Sequence, residues 1–145
     1  MKITFLKNIL ICVIAFTILA CGSGCSSLST RPVHLLSSSV EIYNANEKEY
    51  HISNSVEMGQ LAKMNASFTW DSVGGAGVHT FYWELYKGEQ CIQKDKAQDS
   101  DFVHSPWQIA LKIDTTSLGE GSFQGVLYLD GVNVVTVPLT VNQKK

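Results

Sequence analysis

Gly121–Val141 reads GSFQGVLYLDGVNVVTVPLTV, two alternating runs on either side of an Asp-Gly pair. Phe123, Gly125, Leu127 and Leu129 fall on one face of the first run. Val135, Val137, Leu139 and Val141 fall on one face of the second. A period of two marks a half-buried strand, because successive side chains of extended backbone point to opposite faces. Asp130-Gly131 between such runs is a strong hairpin signal, since a type I′ turn needs positive φ at both central residues. Pro138 has no N–H to give a ladder, so the last strand should carry an edge or a bulge there.

Working backwards, the same period recurs. Trp107, Ile109, Leu111 and Ile113 alternate with Gln108, Ala110 and Lys112. Phe81, Trp83 and Leu85 share a face within Val78–Lys87, with Tyr82, Glu84 and Tyr86 opposite, and Lys87-Gly88-Glu89 turns the chain into a short strand around Cys91 and Ile92. Met64, Ala66, Phe68 and Trp70 alternate with Asn65, Ser67 and Thr69; Val40 and Ile42 do so more briefly, and Tyr50, Ile52 and Val56 weakly. No window longer than ten residues after Cys21 carries a convincing helical period. About seven short strands separated by turn residues predict an all-β fold, an antiparallel β-sandwich over residues 39–143.

The N-terminus reads differently. Lys2 and Lys7 precede twelve uncharged residues, Ile9–Ala20. A short basic region, an apolar stretch of this length and a small residue form a secretory signal peptide, residues 1–20, whose apolar stretch is expected to be helical. A membrane span needs about 20 apolar residues, and Lys7 and Asn8 interrupt any longer run. Residues 21–38 are serine-rich; Gly22–Ser39 holds seven serines and no acid. Such a segment buries too little apolar surface to offset its ordering, which predicts a flexible tether of about 25 Å reach. Leu35 and Leu36 offer an alternative start for the first strand.

At the junction, Ile18-Leu19-Ala20-Cys21 resembles the lipobox of bacterial lipoproteins, in which a small residue precedes a cysteine that is lipidated and becomes the mature N-terminus. Leu19 departs from the smaller residue usual there, and Cys25 is a rival acceptor with Gly22 ill suited to its −3 position. The resemblance implies lipidation (palmitate among the acyl chains) at Cys21, and the non-acidic Gly22 implies sorting to the outer membrane, on its periplasmic or surface face. Two or more acyl chains anchor stably where one does not. Cys12 leaves with the signal. The oxidising compartment then allows a Cys25–Cys91 disulfide, against the alternative of Cys91 as a small apolar strand residue.

Leu118-Gly-Glu-Gly-Ser-Phe123, the alternating run, the Asp-Gly turn and the valine-rich last strand together resemble the end of an immunoglobulin-like or fibronectin type III-like domain. The resemblance spans about residues 60–142. It implies that Leu118 and Phe123 pin a loop to the core and that Trp83 is the core tryptophan. Phe123 replaces the usual tyrosine, so the hydroxyl bond of a tyrosine corner is lost.

Composition bounds the function. Only 17% of the 145 residues are charged, and without Lys2 and Lys7 nine bases face thirteen acids, a net charge of −4. That argues against nucleic-acid binding and a coiled coil, and the length, which holds one domain, argues against a multi-domain enzyme. His34, His51, His79 and His104 show no ligand spacing, although His79 and His104 would meet if tertiary structure brought them together. Neither a nucleophile elbow nor a phosphate loop is present, Gly74–Gly77 lacking the lysine and helix the latter needs. The expectation is therefore a non-enzyme without metal or cofactor, with a membrane reached through the anchor and a protein partner in the cell envelope.

Three connections should share one end of the sandwich: Asp71–Gly77, Asp95–Pro106 and Asp130-Gly131. Loops on a rigid scaffold are the usual place for recognition. Phe102 and His104 in the longest connection are candidate contacts, with Phe102 alternatively a core residue. Tyr82 and Tyr86 on the outward face of their strand are a second candidate pair, alternatively a cover for neighbouring strands. The expected roles are a binding module, an accessory or assembly subunit of an envelope secretion or pilus machine, or a periplasmic inhibitor or chaperone that caps another protein's edge strand.

Overall fold

The computed structural model describes residues 30–71 and 73–144; the signal peptide, Cys21, Cys25 and most of the serine-rich segment lie outside them. The described chain is all β. Its strands are β1 (His34–Asn44), β2 (Glu49–Ile52), β3 (Ser55–Glu57), β4 (Leu61–Thr69), β5 (Gly77–Lys87), β6 (Gln90–Lys94), β7 (Gln98–Phe102), β8 (Trp107–Asp114), β9 (Gly121–Leu129) and β10 (Val132–Asn142). One sheet has the order β2-β1-β4-β8. The other runs β3-β10-β9-β5-β6, with β7 continuing along β5 beyond β6.

This is an immunoglobulin-like sandwich. β4 and β8 form one wall, and β5, β9 and β10 form the other, in the order that strands B, E, C, F and G take in such domains. The alternation in the sequence sets which side chains face inward. Met64, Ala66 and Phe68 from one wall meet Trp83, Leu85, Phe123, Leu127, Val137, Leu139 and Val141 from the other, all buried. Trp83 is 2% exposed, at the position of the core tryptophan. Phe123 is buried and Leu118 packs against the same core, so the loop is pinned without a tyrosine hydroxyl.

Two glycines matter to this packing. Gly125 lies opposite Met64, and a methyl group on it would fall 2.1 Å from Met64 Sδ. Gly131 (φ 80°) follows Asp130 (φ 50°) in the β9–β10 turn, the double positive φ that the Asp-Gly pair foretold. Pro138 faces Gln124 on β9, while β3 joins the other side of β10 only at Thr140–Asn142. Pro138 therefore sits where β10 is an edge, and the bulge lies elsewhere, between Asn133 and Val135.

Three differences from the sequence reading have physical reasons. β1 begins at His34, inside the stretch assigned to the tether, because Leu35–Ser39 pairs with β4 through backbone alone and leaves its side chains largely exposed. The Asp95–Pro106 stretch is not a continuous loop, since it contains β7. β7 has one buried side chain, Phe102, so no alternation betrays it. Weak periodicity at Tyr50–Val56 becomes two short strands, β2 and β3, that lie in different sheets.

Candidate functional site

The predicted cluster of loops forms at one end. β4 leaves for β5 through Asp71–Ala76, β7 leads to β8 through Val103–Pro106, and the Asp130-Gly131 turn is bonded to β5 beside them. The described chain also begins here: the Arg31 N–H donates to Ala76 O at 2.8 Å and Arg31 Nη1 donates to Val73 O at 3.2 Å.

The glycine run forms a strap bonded to the end of the sandwich. Trp70 Nε1–H donates to Gly74 O at 2.7 Å and the Ala76 N–H donates to Phe102 O at 2.7 Å. Gly75 passes so close to β7 that a Cβ would lie 2.8 Å from Phe102 O, which is why a glycine stands there.

Phe102 is 0% exposed. Its ring packs against Phe68, Trp70, His79 and Trp107 at centroid distances of 4.7–6.2 Å. That corrects its candidacy as a contact residue: the last residue of β7 turns inward and closes the core under the strap. His104 stays exposed on the following loop, its ring edge-on to Trp107 at 5.0 Å.

His79 and His104 do not converge. His79 is 2% exposed, and its Nδ1 lies 2.7 Å from Asp130 Oδ2. Asp130 Oδ1 in turn accepts the Thr80 N–H at 3.0 Å. The pair staples the β9–β10 turn onto β5, and Phe102 and Trp107 separate it from His104. Among the described residues, no group of three or more His, Cys, Asp or Glu side chains is placed to hold a metal ion.

Tyr82 and Tyr86 lie half-buried on the outward face of β5. Tyr82 stacks on Tyr128 of β9, centroids 4.8 Å apart and nearly parallel, with Lys94 Nζ over the Tyr82 ring at 4.8 Å. Glu84, 6% exposed, accepts from Lys94 Nζ and from the Tyr86 hydroxyl, each at 2.6 Å. These bonds, Lys94's first, hold the Glu84 carboxyl below its ordinary value of 4.5 and hold the Lys94 and Tyr86 pKa values above theirs. The two tyrosines thus cover neighbouring strands and are linked through Lys94, with their rims at the surface.

Two features were missed from sequence. Thr115, 0% exposed, donates to Gln60 O at 2.7 Å and accepts from the Gly59 N–H at 3.0 Å, tying the β8–β9 crossing to the β3–β4 turn at the far end. An open polar groove of about 610 Å³ runs between β1, β2, β3 and the end of β10, lined among others by Asn44, His51, Ser55, Glu57 and Asn142. Single threonines and residues gathered from four strands leave no local pattern to read. Cys91 is exposed on β6, its Sγ 3.4 Å from Gln93 O. It is a strand residue, as one of the two alternatives had it, and Cys25 lies outside the described residues.

No family model and no curated protein matches the sequence. Among solved structures, the CARDB domain of a Pyrococcus furiosus protein, crystallised with di-metal ions, superposes with TM-score 0.52 at 9% identity, covering 82% of this chain and all of that one. An immunoglobulin-like protein of Pseudomonas aeruginosa gives TM-score 0.45 at 10% identity over 79% of this chain and 99% of its own. The former likeness shows the fold, an immunoglobulin-like β-sandwich, and at such identity nothing further.

Proposed function

We propose that this chain is a lipoprotein anchored through Cys21 to the outer membrane, whose sandwich is a non-catalytic binding module for a protein partner in the cell envelope. The observation that carries the reading is Ile18–Cys21 at the end of the apolar run Ile9–Ala20, directly ahead of a serine-rich segment and one small sandwich. Glu84 is bonded to Lys94 and Tyr86 and Thr115 to backbone, so these polar side chains hold the sandwich together. The surface offered to a partner is the outward Tyr82–Tyr86 face of β5.

A second reading is favoured by the sheet edges. Among the described residues β8, eight residues long, pairs only with β4, and β6 is an outer strand of the other sheet. Such edges suit strand addition, the way an assembly subunit, inhibitor or chaperone engages a partner. Replacing Cys21 with serine and fractionating cells tests the anchor; the variant should leave the membrane fraction, and unchanged retention refutes it. In-cell crosslinking followed by mass spectrometry tests the partner, with an envelope machine component expected for the accessory role.

A further inference from the structure

We propose that the loop end of the sandwich lies against the phospholipid surface that holds the anchor, touching it through Val73, Val103, Leu35 and Leu36; this rests on the lipid-anchor reading. Two independent observations meet at that end.

The first is where the chain joins the sandwich. Arg31 is bonded to the strap at Val73 and Ala76, so the described chain begins among the loops and not at the far end. Only eight residues, nine backbone steps, separate Cys21 from Thr30. At 3.3–3.6 Å each they span at most about 30 Å, and with Cys25 as acceptor less. β5, eleven residues long, runs away from this end for about 36 Å at 3.3 Å per residue. A connection shorter than the domain it holds keeps the loop end the nearer one to the bilayer.

The second is what that end displays. Val73 is fully exposed at the tip of the strap, and Val103 is 52% exposed beside it, its Cα within 3.3 Å of a Cβ built on Gly75. Leu36 and Leu35, 59% and 41% exposed, follow where β1 pairs with the end of β4. An open cavity of about 270 Å³ between Arg31, Pro32, His34, Trp70 and Asp71 lies among them. Charge does not direct the contact: Arg31 and His34 lie near Asp71, while Asp101 and Asp130 are exposed at the same end, so the apolar tips alone carry it. Apolar side chains at the tips of these loops fit the headgroup boundary of a bilayer, where such side chains bury to a depth of about 5–10 Å.

The test uses the full, lipidated chain in a Cys25→Ser, Cys91→Ser background, reconstituted into phosphatidylethanolamine–phosphatidylglycerol vesicles with brominated acyl chains. An environment-sensitive fluorophore is placed by Val73→Cys, by Val103→Cys, or by Lys48→Cys at the far end as control. Flotation is read first: a chain that does not float with vesicles overturns the anchor reading itself. For a chain that floats, the proposal expects blue-shifted emission and loss of intensity at positions 73 and 103, with neither at 48. Floating protein whose emission is the same at all three positions overturns it. Val73→Asp with Val103→Asp should raise protease access to the strap while flotation persists; unchanged access counts against the contact.

Discussion

Gly125→Ala is a one-carbon change that tests how the two walls meet. Gly125 on β9 faces Met64 on β4, and the added Cβ would fall 2.1 Å from Met64 Sδ, 3.1 Å from its Cε and 3.5 Å from Trp83 Cζ3. Ordinary carbon contacts lie near 3.5–4.0 Å, so the sulfur must move by more than 1 Å in a region where Met64 and Trp83 have no free space. Overpacking of this kind costs about 1–3 kcal/mol. At about 4 °C per kcal/mol for a domain of this size, the melting temperature should fall by about 4–12 °C. Met64→Ala alone removes the obstruction and leaves a cavity, at a cost of about 2–5 kcal/mol. In the double variant the alanine methyl enters that cavity, so the two costs should fall short of their sum by about 0.5–3 kcal/mol. Urea titrations followed by tryptophan fluorescence on the four proteins of the cycle measure this. Additivity would mean that Gly125 and Met64 do not touch, and the pairing of the walls would be wrong.

Phe102→Ala should cost about 3–5 kcal/mol of stability in thermal or urea unfolding, because it empties a ring site packed by four aromatic neighbours; a stable variant would restore Phe102 as a surface residue. Thr115→Val keeps the shape but leaves the Gly59 N–H and Gln60 O unpaired, a loss of about 1–3 kcal/mol by the same assay. The Glu84 carboxyl is held below 4.5 when folded, so its contribution is present above that pH and lost as pH falls through the folded value. Glu84→Gln should therefore be less stable than the parent near neutral pH and converge with it in acid; parallel stability–pH curves would remove Glu84 from the account.

β4, β5, β8, β9 and β10 were legible because every second residue is a buried apolar one set among largely polar neighbours, so the period of two is written in their residues. The Asp130-Gly131 turn and Trp83 were legible for equally local reasons. β2 and β7 were harder: nearly every side chain on them is exposed, and their places come from backbone pairing that any residue supplies. The same holds for the start of β1, where serines form a ladder while looking like linker. Phe102 shows the limit at the site. A lone aromatic among acids reads as either an anchor or a plug, and only the approach of Gly75 and His79 decides for the plug. The His79–Asp130 bond joins positions 51 residues apart, beyond any local pattern.

The claim on which the functional reading turns is the covalent anchor, and the mass of the mature N-terminus tests it most directly. The chain extracted from membranes and digested should yield an N-terminal peptide that begins at Cys21 and carries the added mass of a diacylglyceryl group and an amide-linked acyl chain. An unmodified N-terminus at any position, or a chain that retains Met1 and the apolar run, would contradict the account.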